Sequence, residues 1–217
     1  MELTAPTPAQ SRTRVNADRA WLAVCVAGFL VLCWLLRRFV TDDAWITARY
    51  AENLAHGHGF VWNPGGPRVE GFSNPLLLYL EALPNAIGIS AIAVARAIGL
   101  GCGVALLFVI HRMGPPVVGR PATRVALALT AFYPPMALWA IGGLETLPTA
   151  LAATGGVLLL ATPGVDRARA LRAGIVLATL PWLRPEGIVI ALAVAVLAEA
   201  PGLLRRTTRR TAFGHLV

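Results

Sequence analysis

Residues 21–36 read WLAVCVAGFLVLCWLL, sixteen positions without a charge, closed by Arg37-Arg38 and preceded by a polar stretch that ends at Arg19. Sixteen residues fall short of the roughly 20 that cross a bilayer core, but the two arginines can snorkel to the interface and extend the span to Val40. A secretory signal peptide shares the basic start and the apolar run, yet it needs small residues for cleavage where this chain has Arg37-Arg38. The stretch therefore reads as a membrane helix, and the chain repeats it. Further apolar runs cover about Ile89–Ile110, Val125–Ile141, Leu147–Ala161, Leu171–Leu183 and Ile188–Leu204. The expectation is an all-α polytopic membrane protein of about six helices. Pro134-Pro135 should kink the third, and the fifth is short enough to be a partial or broken helix ending at Arg184-Pro185-Glu186-Gly187.

Composition agrees. Of 217 residues, 56% are hydrophobic and 14% charged, where a soluble domain carries roughly 25% charged residues. The mean hydropathy is +0.64. All 19 fixed cations are arginine, the net charge is +8 and the isoelectric point is about 10.9. A nucleic-acid binder clusters its cations on one exposed face. Here they punctuate apolar runs, so the lipid bilayer is the expected partner and nucleic acid is not. Cys25, Cys33 and Cys102 lie inside apolar runs, which fits neither a disulfide framework nor a zinc site.

Sorting the arginines by side gives the orientation. With the amino terminus in the cytoplasm, thirteen of the nineteen fall inside and five outside or at the outer boundary, with Arg96 within the second span. The positive-inside rule favours that arrangement. Seven of the eleven acidic residues, Asp42, Asp43, Glu52, Glu70, Glu81, Glu145 and Glu186, then lie outside. The domains follow: a polar cytoplasmic tail (1–19), a membrane domain (20–204) with its first outer loop at 41–88, and a basic cytoplasmic tail (205–217).

That loop holds the least ordinary chemistry. Thr41 or Asp42 can cap a short amphipathic helix, Ile46, Tyr50 and Leu54 give it an apolar stripe, and Gly57 can end it. Asp42 and Asp43 admit two readings: a base with a metal-binding partner, or a cap and a residue favoured by the helix dipole. Downstream, Pro64-Gly65-Gly66-Pro67 suggests a small hairpin, and Asn74-Pro75 should cap and start the next helix. Trp62 and Phe72 could stack on a sugar or anchor the interface. His56 and His58 lack further ligands nearby and read as loop residues. Glu145 and Glu186 follow apolar runs, where a charge is a functional candidate; Arg184 and Glu186 could equally form a local ion pair that ends a short helix. A guanidinium at the outer boundary also suits a lipid-linked phosphate.

Taken in order, Asp42-Asp43, Arg49-Tyr50-Ala51, Asn53-Leu54-Ala55, Gly57, Gly59, Asn63-Pro64-Gly65, Val69-Glu70-Gly71 and Ser73-Asn74-Pro75 resemble the first outer loop of C-type (GT-C) integral membrane glycosyltransferases. The terminal arabinofuranosyltransferases of actinobacterial cell walls are the most similar. Gly143-Leu144-Glu145-Thr146 and Arg184-Pro185-Glu186-Gly187 resemble later motifs of that family, in the same order and on the same side. The resemblance covers about residues 21–204. It implies inverting transfer of a sugar, arabinofuranose or a hexose, from a polyprenyl-phosphate donor to a hydroxyl of a cell-envelope glycan or other acceptor, on the outer side of the cytoplasmic membrane.

On that resemblance, Asp42 or Asp43 is the base, and the partner, Asp43 in the reading with metal, helps bind a divalent cation. Arg49, Tyr50, Trp62, Asn63, Glu70, Ser73, Asn74, Glu145, Arg184 and Glu186 line the substrate site. Family members continue through further membrane helices and an outer domain. The chain is therefore expected to be an amino-terminal portion ending in its basic tail, or to share its site with a second polypeptide. The competing readings are a non-catalytic or truncated membrane subunit and, last, a small transporter.

Overall fold

The computed structural model describes residues 8–198, and among these every regular element is a helix. α1 spans Pro8–Leu35, α2 Asp42–Ala55, α3 Pro75–Asn85 and α4 Ala91–Met113. A short α5 (Pro115–Val118) leads to α6 (Arg120–Ala131), α7 (Pro134–Ile141) and α8 (Thr146–Ala161). α9 (Arg167–Ala178), α10 (Leu180–Leu183) and α11 (Gly187–Ala198) follow. Residues 1–7 of the polar tail, the end of the sixth apolar run and the basic stretch 205–217 lie outside the described residues.

Among the described residues two helices are long and apolar enough to cross a membrane: Arg12–Leu35 within α1, with 24 residues, and α4, with 23. At about 1.5 Å per residue each reaches roughly 35 Å. α6 and α7 meet the same criterion as a pair, bent by 56°. Among the described residues two spans, or three with the bent pair, thus stand where the sequence suggested six. The difference is length: the 16 residues of α8 extend about 24 Å, against roughly 30 Å of hydrocarbon.

The kink expected at Pro134-Pro135 is present. Tyr133 is extended (φ −79°, ψ 108°) ahead of the proline that starts α7, because an αR residue there would clash with the ring. The fifth apolar run is divided into α9 and α10 and stops at Arg184. In the other direction, the polar residues 8–19 continue α1 instead of forming a separate tail.

The main core joins α1, α4, α6, α7 and α8 through Phe29, Leu106, Leu107, Leu127, Ala137 and Leu147, among others. Glycine makes its closest approaches possible. A Cβ at Gly99 would lie 2.2 Å from the Ala140 carbonyl oxygen, and one at Gly103 would lie 2.4 Å from the Phe29 ring. Gly99 and Gly103 sit one turn apart, the small-xxx-small spacing that lets neighbouring membrane helices pack closely.

Both ends of this bundle are tied. Asp18 of α1 pairs with Arg120 and Arg124 of α6 at 3.0 and 2.7 Å, while at the opposite end Arg96 of α4 donates to the Arg37 carbonyl. Val24, Val31, Phe108, Leu129, Leu171, Ile175 and Val189 all face outward. So much exposed hydrocarbon marks a membrane-associated protein.

Candidate functional site

The end of the bundle that holds Arg37 and Arg96 also receives α2 and α3, and α2 is docked there by the residue that precedes it. The amide and the hydroxyl of Thr41 both donate to the Gly142 carbonyl, each at 3.1 Å. Thr41 is the residue before the helix, but its hydroxyl is spent across the fold and makes no cap hydrogen bond. The turn it meets depends on glycine: Gly143 has φ +88°, and a Cβ there would lie 2.8 Å from that of Ala44. Docking carries Asp42 and Asp43 to the turn that leads into Glu145. Both aspartates are exposed, and neither has a hydrogen bond or ion pair among the described residues.

Behind them lies a buried polar chain. The Thr47 hydroxyl of α2 donates to Asn74 Oδ1 at 3.1 Å, and Asn74 Nδ2 donates to Glu145 Oε2 at 2.6 Å. Arg184 Nε lies 2.9 Å from the other oxygen of Glu145 and 3.3 Å from Glu186 Oε1. Thr47, Asn74 and Glu145 are each at most 5% exposed. Glu145 precedes the first turn of α8, its carbonyl accepting from the Thr149 amide at 2.9 Å. Its charge is therefore offset by a guanidinium, an amide donor and a helix N-terminus. Asn74, expected as a cap, precedes α3 without capping it, because both ends of its amide serve this chain.

Glu81 of α3 completes the group. It is fully buried, and neither oxygen has a hydrogen-bond partner among the described residues. Burial, followed by the nearby charge of Glu145, pushes its carboxyl up to about 8. Two neighbouring carboxyl groups thus have different surroundings: Glu145 meets Arg184 and Asn74, while Glu81 has no polar partner among the described residues and holds its proton at neutral pH.

Other expected site residues hold the loop between α2 and α3. Tyr50 is buried, donates its hydroxyl to the Val69 carbonyl and packs against Phe72 and Trp62, with ring centroids 5.1 and 5.9 Å away. Asn53 Nδ2 donates to the carbonyls of Val61 and Trp62, and Arg49 Nε to that of Trp62. Gly57 ends α2 at φ +81°, as expected of a left-handed C′ residue.

No strand pairing occurs among the described residues, so the expected hairpin is corrected to an irregular loop with one tight turn, Gly66 N–H to the Asn63 carbonyl at 3.0 Å. The reason is that side chains of α2 take the carbonyls a ladder would use, and Pro64 and Pro67 offer no N–H. Trp62, Asn63, Glu70 and Ser73 are exposed along this loop.

Asn74, Glu145, Arg184 and Glu186 are brought together; Asp42 and Asp43 adjoin the same turn; Arg49, Tyr50 and Trp62 fasten the loop. Thr47 and Glu81 belong to the group but were not among the expected residues. Glu81 carried a legible signal, a single charge within Leu76-Leu77-Leu78-Tyr79-Leu80-Glu81-Ala82-Leu83, the pattern that marked Glu145. For a divalent cation at Asp43, the described residues offer no cluster of three or more His, Cys, Asp or Glu side chains, and both oxygens of Glu145 are engaged. Compared with protein families, curated proteins and solved structures, the chain matches none.

Proposed function

We propose that the chain is the catalytic membrane portion of a glycosyltransferase that uses a polyprenyl-phosphate sugar and acts on the outer side of the cytoplasmic membrane. The observation that supports this reading is convergence. Residues from four separate segments, Thr47, Asn74, Glu145 and Arg184, form one hydrogen-bonded and ion-paired chain beneath the docked start of α2. Three of them are the residues on which the resemblance to C-type glycosyltransferases rests.

In this reading Asp42 or Asp43, exposed and free of partners, takes the proton of the acceptor hydroxyl. The acceptor oxygen attacks the anomeric carbon from the face opposite the phosphate, the carbon–oxygen bond to phosphate breaks, and polyprenyl phosphate leaves with the electron pair. Configuration inverts. Arg184, paired with Glu145 and Glu186, would steady the phosphate, while Asn74 orients Glu145. No step is assigned to a metal ion. The exposed Trp62, Asn63, Glu70 and Ser73 would meet the sugar or the acceptor.

The test is transfer of labelled sugar from polyprenyl-phosphate donors by membranes containing the protein, alone and with candidate partner polypeptides. Loss of at least about a hundredfold in one of Asp42→Ala or Asp43→Ala, the range of a general base, supports the assignment. Unchanged transfer in both variants overturns it.

A further inference from the structure

At the opposite end of the bundle, α1, the end of α4 and the start of α6 enclose a cleft of about 600 Å³ whose lining includes Asp18, Arg19, His111, Arg112, Arg120 and Arg124. One aspartate faces four arginines there, leaving three arginine charges uncompensated. Asp18 bridges Arg120 and Arg124 and so fixes two guanidinium groups in position. Arg19 and Arg112 are exposed and have no ion pair among the described residues. Such a cleft fits a phosphate oxyanion.

A second space adjoins it. Between α1 and α6 runs a groove of about 620 Å³, lined by Ala17, Ala20, Val24, Val125, Ala128 and Leu129. Trp21 and Arg124 line both spaces, and Trp21 Nε1 donates to the Arg124 carbonyl at 3.0 Å. A tryptophan so placed marks the boundary between headgroups and hydrocarbon. From this boundary the groove follows two helices into their apolar lengths, over alanines that leave room where larger residues would fill it. A free anion would satisfy the cleft and leave the groove empty; a molecule with an anionic head and a hydrocarbon tail occupies both.

We propose that this end of the protein binds an anionic phospholipid of its own leaflet, with the phosphodiester among Arg19, Arg112, Arg120 and Arg124 and one acyl chain between α1 and α6. The site is far from the carboxylate network and does not depend on the transferase reading.

The test is lipid retention by the detergent-purified full chain, measured by native mass spectrometry with phosphatidylglycerol and phosphatidylcholine of matched chains. Wild type should retain phosphatidylglycerol preferentially. Replacing Arg19→Gln and Arg112→Gln together should weaken phosphatidylglycerol about 30-fold, roughly fivefold for each arginine near an anionic lipid surface, without changing phosphatidylcholine. Both side chains are exposed and outside the Asp18 bridge, so the fold should survive, as circular dichroism can verify. Ala20→Trp, which fills the groove, should reduce phosphatidylglycerol retention and spare binding of inorganic phosphate. Equal retention of the two lipids by wild type, or an unchanged preference in the double variant, overturns the proposal. So does displacement of phosphatidylglycerol by inorganic phosphate together with indifference to Ala20→Trp, which would assign the cleft to free anions.

Discussion

Replacing Glu81 by Gln should stabilise the protein above about pH 5 and leave it unchanged in more acid solution. In the unfolded chain this carboxyl releases its proton near 4.5, whereas in the folded protein it holds it up to about 8. Below 4.5 both states carry the proton, and Glu81 does not bias folding. Between the two values the unfolded chain has lost a proton that the folded chain retains, so stability falls as pH rises. The slope is about 1.4 kcal/mol per pH unit, which removes roughly 3 kcal/mol by pH 7 and about 5 kcal/mol once the folded carboxyl ionises.

Gln has nearly the same shape and does not titrate. The difference between Glu81→Gln and wild type should therefore trace that curve, while the titration of every other carboxylate cancels. Unfolding in detergent, followed by tryptophan emission at pH 5, 7 and 9, measures it. A difference that stays flat across this range, or a wild type that gains stability over the variant as pH rises, refutes the reasoning. In a Glu145→Gln background the effect should shrink but persist, because burial outweighs the Glu145 charge among its causes.

Asn74→Ala removes the donor to Glu145 and the acceptor for Thr47 together; a loss of about 2–4 kcal/mol is expected from two stranded buried groups, read from the same unfolding assay. Arg184→Gln leaves Glu145 without its cation and should cost about 1–3 kcal/mol, less than a fully buried pair because 43% of the Arg184 side chain meets solvent. Gly99→Ala drives a methyl against the Ala140 carbonyl and should destabilise by about 1–3 kcal/mol. Gly101→Ala, with nothing within 4 Å of the added carbon, should be neutral or slightly stabilising through helix propensity, and equal effects at the two glycines would contradict the packing described.

What could be read from the sequence was what nearest neighbours decide. The apolar runs located α1, α4 and α8, because hydrocarbon content per turn is a local property. Pro134-Pro135 located the bend, because a proline constrains the residue before it. Helix bounds were less legible: no apolar run marks residues 8–19, yet they continue α1.

The loop between α2 and α3 was illegible for a different reason. Its carbonyls are bound by Arg49, Tyr50 and Asn53 of α2, contacts that local turn chemistry does not register, and Pro64-Gly65-Gly66-Pro67 consequently looked like the tip of a hairpin. Asn74 looked like a cap because Asn before Pro usually is one, while its real partners are 27 and 71 residues away. Glu145, Arg184 and Glu186 were legible as charges that apolar surroundings must accommodate. Glu81 meets the same criterion, but only its burial distinguishes it from a surface carboxylate on a short helix.

The hydrogen bonds from Thr41 to Gly142 join residues 101 positions apart, and this separation sets a schedule for biosynthesis. At about 5–20 residues per second, the chain between them takes roughly 5–20 s to make. Throughout that interval α2 exists without its docking surface, and Asn74 without Glu145. Arg184 arrives later still, so Glu145 enters the membrane boundary before its counter-charge does. Assembly at this end therefore waits on later synthesis, with α2 able to dock only once Gly142 is made and Glu145 paired only once Arg184 follows. An insertion machinery or chaperone that shields the short helices α2 and α3 during this delay would raise the yield of folded protein without changing its final stability.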